Sequence, residues 1–388
     1  MPSPLVDQVS RYLTRRARWH PLEYAFWLAA LASIFLLPGR HLILTEIAWL
    51  ALFALSLDLI LGYAGIISLG HAAFFGFGSY AAALLAKHGI INEPVLALIA
   101  GGLAAAVLGF VTSFLVLRGS DLTRLMVTLG IALIMREIAN QIPELTGGAD
   151  GLQGVIIAPI LGIWSFDIFG HVGYVYCLAV LFFLFLLARL IIYSPFGLSL
   201  RAVKGNPLRA ASIGISVNAR LIAIYTLAAF YAGVAGGLLA QTTAFASLDV
   251  FSFERSADLL LVLIIGGTGY LYGGLIGAVA FKLIQDGLAT FDPQYWQYWI
   301  GLLLVMLVLF GRIYGALIAV LVFAISYWFH LSFFQCALIM LVIGVGYGHI
   351  QKLLKVLDDR IAEAVRAARA AWQTRWQALR QSRLQGRS

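Results

Sequence analysis

The sequence predicts an all-α fold: a polytopic transmembrane helix bundle with broken or re-entrant helices. Three observations carry that expectation. Of 388 residues, 62% are hydrophobic and only 11% are charged, less than half the roughly 25% charge of a soluble domain. The apolar residues gather in runs near the length of about 20 residues that one helical crossing needs. Glycine and proline interrupt several runs, which a bilayer tolerates where neighbouring protein satisfies the freed backbone groups. This composition excludes a water-soluble globular enzyme and a disordered or collagen-like chain.

Residues 1–23 form a basic N-terminus, with Arg11, Arg15, Arg16 and Arg18 against one acid, Asp7, up to His20. It precedes a first apolar stretch with no small-residue cleavage site, which reads as a retained span. Apolar windows then fall at 24–37, 42–61, 66–86, 95–117, 122–141, 173–192, 221–241, 257–267, 273–289 and 296–310. They predict about ten spans, although the pair 257–267 and 273–289 also fits one broken helix. Ten crossings from a cytoplasmic N-terminus put the loop 194–220, with Arg201, Lys204, Arg209 and Arg220, inside, as the positive-inside rule requires. The acidic, glycine-rich stretch Pro143–Gly170 then lies outside.

Beyond the transmembrane body at 24–315 comes an additional apolar segment, 316–348. It reads as a hairpin breaking near His330–Ser332 or as one tilted span. Residues 349–388 read as a basic amphipathic helix, with Leu353, Leu354, Leu357, Ile361, Ala364, Val365 and Ala368 on one face. It suits an anionic lipid surface or a partner. The net charge of the chain is +8, and Gln351–Ser388 holds nine Lys/Arg and three acids, so the body is close to neutral. The basic excess speaks to sidedness and lipid, not to nucleic acid.

Several chemistries find no support. None of Lys87, Lys204, Lys282, Lys352 and Lys355 is followed by Ser or Thr, so there is no G-x-x-x-x-G-K-[ST] phosphate loop. The histidines show no metal-binding i, i+4 pair, and there is no G-x-S-x-G elbow. Cys177 and Cys336 sit in apolar runs, which suits neither a disulfide nor a metal. No bound cofactor and no metal are expected.

Four segments carry the information. In the first, Asp58, Tyr63, Ser68 and His71 cluster around a break marked by Gly62, Gly65 and Gly70. Ionisable groups inside a membrane are costly and usually face a partner or a cavity, and broken helices build transport sites near the midplane. Small-residue packing is the alternative for the glycines. In the second, Asp121–Gly130 leads to Arg136, Glu137 and Asn140, then to Thr146–Gly151. Thr128, Glu137 and Asn140 line a path there, or the segment is a plain interfacial helix end. The third, Ser194–Gly214, predicts two short helices, with Asn206 as N-cap, Pro207 at the first helical position and Gly214 as a stop. Its apolar residues fit an interface or another subunit's groove. In the fourth, Gly266, Gly267 and Gly269 precede Gly273, Gly274 and Gly277, too many glycines for a straight helix. A turn or re-entrant break follows.

In these four segments the chain resembles the permease subunits of branched-chain amino acid ABC importers of the LivM type. The resemblance rests on "LGYAGIISLGHAAFFGFGSYAAALL", "VTLGIALIMREIANQIPELTGGADGLQG", "SPFGLSLRAVKGNPLRAASIGI" and "ADLLLVLIIGGTGYLYGGLIGA", in order between Leu42 and Gly315. It implies a bacterial inner-membrane subunit, multi-pass with cytoplasmic termini. Its partners would be a second related permease, two cytoplasmic ATPases that use the ATP, a periplasmic solute-binding protein and membrane lipid. It also implies ATPase coupling through Arg201, Asn206, Pro207, Leu208, Arg209 and Ile213. The chain departs from the family in carrying Asp58 and Ile66 where Asn and Gln are usual. Gly205 and Pro207 stand where glutamates are frequent, and about 75 residues follow Arg312. Branched-chain amino acids are the first expected cargo, with urea, short amides and aromatic or carboxylic acids as alternatives. Two other classes remain: an ion-coupled secondary transporter using Asp58 and Glu137, and a membrane enzyme with His71 as base.

Overall fold

The computed structural model describes residues 19–310, apart from 38, 168 and 292. The basic stretch before residue 19, the apolar segment 316–348 and the tail 349–388 lie outside the described residues, as does Cys336. The chain divides into one unit up to Trp296 and a second from Gln297. All described elements except the last belong to the first unit.

Helix starts follow from a recurring local device. α1 (Pro21–Leu36) and α4 (Pro94–Val116) each open on proline, with the His20 and Glu93 side chains accepting from the N–H two residues on. α8 (Pro195–Gly205) repeats it with Ser194, and α9 (Pro207–Ser212) with Asn206, which accepts from the N–H three residues on. Proline lacks only an N–H that the first turn could not have used, and the cap satisfies another.

α2 (His41–Ala64) and α10 (Val217–Thr243) form the centre of the bundle, each buried over most of its length. A helix apolar on every side is buried on every side. α10 packs against α2, α3 (Ala72–Lys87) and α4, while α2 also meets α7 (His171–Ile192) and α12 (Leu271–Phe291). Association inside a bilayer depends on close packing of small residues. Accordingly, a Cβ on Gly78 of α3 would run into the backbone of Gly233 on α10, and a Cβ on Gly233 would strike that of Ala105 on α4.

Among the described residues four helices, α2, α4, α7 and α10, are long and apolar enough to cross a membrane. A fifth span results if α11 (Phe253–Gly266) and α12 count together, but these are bent by 111° at their junction. Each of the ten apolar windows falls on a helix, yet ten crossings are not confirmed. The reasons are local. α3 gives up 66–71 to an irregular segment, and α5 (Asp121–Gln141) carries Asp121, Arg124, Arg136 and Glu137. α1 and α3 are short apolar helices. In the second unit, the described chain forms the rest of the apolar helix α13 (Trp296–Phe310).

Among the described residues there is no strand, only isolated bridges Leu152–Ala246 and Ile160–Trp164. After the one-turn helix α6 (Pro143–Thr146), the loop to α7 ends on Asp167. Its carboxylate accepts the Val172 N–H at 2.9 Å and the His171 N–H at 3.1 Å. Desolvation pushes the Asp167 carboxyl upward, but these backbone donors outweigh it and hold it below the usual carboxylate range. A depressed carboxyl contributes stability above its unfolded value of about 3.9 and loses it as pH falls through the folded value. Protection of the His171 and Val172 amides, taken relative to their intrinsic exchange rates, should therefore fall selectively in acid, and Asp167→Asn should reduce that pH dependence.

Candidate functional site

Three breaks in regular structure meet at one end of α2. The helix closes on Gly65 in the left-handed region, φ 74°, with the Ile66 N–H returning to the Ile60 carbonyl at 2.9 Å. Lys204 of α8 lays its stem over Gly65 and donates from Nζ to the Gly62 carbonyl at 2.6 Å. One turn earlier, Asp58 Oδ1 accepts the Gly269 N–H at 2.7 Å, which pins the α11–α12 junction. Gly62 has to be glycine here, because a Cβ would sit 2.5 Å from the Gly269 nitrogen and closer still to the Asp58 carboxylate. One turn of α2 thus joins α8 and the junction.

The segment between α2 and α3 is held from three sides. The Leu69 N–H reaches Thr128 Oγ1 of α5 at 3.3 Å, and the Ala72 N–H reaches Ser256 Oγ of α11 at 3.2 Å. Gly70 lies against the Thr128 carbonyl. His71 Nε2 lies 2.9 Å from Ser56 Oγ, and the Ser56 hydroxyl donates to the Phe53 carbonyl at 2.5 Å. With the hydroxyl proton committed, His71 donates from Nε2. Its ring is stacked on Phe53 with centroids 5.8 Å apart.

Asp58, Ser68, His71 and Thr128 are therefore enclosed, none more than 2% exposed. Asp58 and Thr128 fasten irregular backbone, His71 is tied to Ser56, and none of the four faces an open channel in this conformation. Tyr63 stands beside them, its ring 5.4 Å from the Arg201 guanidinium. Glu137 and Asn140 are not part of this cluster. They sit toward the far end of α5, where Glu137 accepts from Gln141 at 2.6 Å.

A cavity of about 890 Å³ opens beside the cluster. Gly62 and Tyr63 of α2, Tyr193, Arg201 and Lys204, and the junction residues Thr268–Tyr272 line it. Arg189 and Glu23 close one side with a 2.5 Å ion pair. Beyond it, Asn206 Oδ1 caps α9 through the Arg209 N–H at 3.0 Å. Leu208 and Ile213, at that short helix, are 83% and 74% exposed, although Ala210 between them is buried. Among the described residues no group of three metal-ligating side chains exists.

One polar feature was missed in the sequence reading. Lys282, Gln285 and Asp286 occupy one face of α12, at i, i+3 and i+4, within the apolar window 273–289. Lys282 pairs with Glu46 of α2 at 2.5 Å. The signal was the lysine itself, the only basic residue in that window.

Comparison with known proteins agrees with this architecture. Residues 40–310 match the family described as branched-chain amino acid transport system / permease component. The chain belongs to this permease family. The high-affinity branched-chain amino acid transport system permease protein LivM of Escherichia coli is 27% identical over 280 residues, covering 66% of this chain and 65% of that relative. The chain thus spans somewhat under two thirds of that relative's length. A probable branched-chain amino acid transport permease protein LivH of Methanocaldococcus jannaschii is 30% identical over 253 residues, covering 62% of this chain and 77% of its own. A galactose/methyl galactoside import permease protein MglC of Haemophilus influenzae is 32% identical over 111 residues, 26% of this chain and 32% of its own. No solved structure matches. As a family member with apolar spans, this permease is a membrane protein, and its matched region contains every element of the cluster.

Proposed function

We propose that this chain is the permease subunit of an ATP-binding-cassette importer in a bacterial inner membrane, and that it moves a small amino-acid-like solute. Branched-chain amino acids are the first candidate cargo, since the relatives that match over most of the chain carry that description. The shorter match to a sugar permease widens the solute class to be tested. Its partners are a second permease, two cytoplasmic ATPases and a periplasmic binding protein, and ATP is hydrolysed by the ATPases alone.

The tie from α8 to Gly62 carries this reading. In it, the loop 194–220 is cytoplasmic, α9 docks in the ATPase through Leu208 and Ile213, and Arg201, Asn206, Pro207 and Arg209 shape that contact. ATPase closure then moves α8. Lys204 transmits the displacement to the last turn of α2, and Asp58 passes it to the α11–α12 junction. Two packed arrangements of one element, biased by a partner, are what such transmission requires. Asp58, Tyr63, Ser68, His71 and Thr128 are the groups whose enclosure changes as the break moves, while Glu137 and Asn140 belong to the opposite mouth.

Purification from membranes should bring the ATPases along, and proteoliposomes of the complex should take up leucine only with ATP. Uptake by the chain alone in response to a pH step would overturn the assignment. Leu208→Asp places a charge in the proposed dock and should lower solute-stimulated ATP hydrolysis about tenfold or more, with the chain still inserted in the membrane. Unchanged coupling would remove α9 from the contact.

A further inference from the structure

α2 and α12 run antiparallel, and their contacts form a ladder. From the α8 end it reads Asp58 to Gly269, then Ala54 against Gly274, then Glu46 to Lys282, and last Arg40 to Asp286 at 4.0 Å. Asp58 is sealed, but the Glu46 and Lys282 side chains remain 44% and 21% exposed. Lys282 also donates to Gln285 Oε1 at 3.0 Å, and Asp258 of α11 lies within electrostatic reach of it.

Lys282 stands eleven residues into α12, about 16 Å along its axis from the junction, and nine residues short of its other end. That places it well inside the helix. Glu46 is in the second turn of α2. Ionisable side chains on apolar helices of a membrane protein usually face a partner, a water-filled path or the interface rather than hydrocarbon. Unlike Asp58, the pair is not sealed. It presents a carboxylate and an ammonium side by side on an open face.

We propose that the Glu46–Lys282 pair lines the solute path of the permease and is a zwitterion-recognising site. Lys282 Nζ exchanges Glu46 for the carboxylate of an α-amino acid, and the Glu46 carboxylate takes its ammonium. Each protein charge keeps an opposite charge throughout, so neither is left bare when the pair opens. Gln285 steadies the lysine as it changes partner. This inference rests on the permease reading above and adds the site and the charge type of the solute.

The test uses the assembled importer with Glu46→Gln, Lys282→Gln, and Lys282→Cys in a chain lacking Cys177 and Cys336. Leucine is the zwitterionic probe, and galactose the uncharged one if wild type carries it. Glu46→Gln and Lys282→Gln should each lower leucine uptake about tenfold or more, mainly through a raised half-saturation concentration. Any galactose uptake should fall much less. The cysteine at 282 should react with a charged, water-soluble thiol reagent, and leucine should slow that reaction. The inference is overturned if the cysteine is unreactive, if leucine does not protect it, or if both solutes lose uptake equally. A structural clasp or a contact with the second permease gives those results. Wild-type complex without ATP-driven uptake would instead defeat the permease reading, so the two failures are distinguishable.

Discussion

Gly233→Leu is expected to be among the most damaging single changes in the molecule. At Gly233 the backbones of α3 and α10 approach without side chains between them, and Ala105 of α4 fills the remaining side. Four added carbons must push α10 away from α4, where Ala105 and the backbone of Gly101 and Gly102 already fill the space. The strain of overpacking is typically about 1–3 kcal/mol, and here part of the neighbouring surface is backbone, which cannot turn aside. The thermal midpoint of the purified protein in detergent should fall sharply, and yield should fall with it. Gly130→Leu is the control, because nothing lies within 4 Å of a Cβ built there. Equal losses in the two variants would mean that the glycine crossing does not organise the bundle.

Asp58→Ala should have the second large effect. It removes the acceptor of the Gly269 N–H and leaves a buried donor without a partner, which costs about 1–3 kcal/mol. It also opens a small void beside Gly62. The junction between α11 and α12 then loses its hydrogen bond to α2, so ATP-driven uptake should fall much further than thermal stability does. Asp58→Asn keeps an oxygen acceptor of the same shape and should restore both. If the asparagine variant is as impaired as the alanine variant, the carboxylate charge matters rather than its hydrogen bond. That result would turn attention to Asp58 as an ion site.

The sequence made the helical class plain because apolar runs near bilayer length have few alternatives. It also marked the start of α9, where Asn206 and Pro207 combine a side-chain acceptor with a preset φ. The interruptions around Gly62–Gly70 and Gly266–Gly269 were visible as local glycine excess. Their meeting was not, because it depends on a bond between residues 211 positions apart. Asp58 shows the same difficulty from the other side. A lone acid in an apolar run has the same signature whether it faces solute or caps a distant N–H, and only the fold separates those roles. Lys282 was passed over because one lysine hardly lowers the hydropathy of its window, and its partner Glu46 lies in another window. Span counting suffered for a related reason, since hydropathy registers apolar length but not the 111° change of direction after α11.

The 211-residue separation between Asp58 and Gly269 also has a meaning in time. A chain made at 5–20 residues per second presents α2 to the membrane about 10–40 s before the junction that completes it exists. For that interval Asp58 has no native donor in an apolar environment, where an unpaired carboxylate is least tolerated. Arg201 and Lys204 of α8 are both synthesised well before Gly269, and they reach Tyr63 and the Gly62 carbonyl in the last turn of α2. The order of emergence therefore lets α8 hold the last turn of α2 before the junction that Asp58 binds has been made.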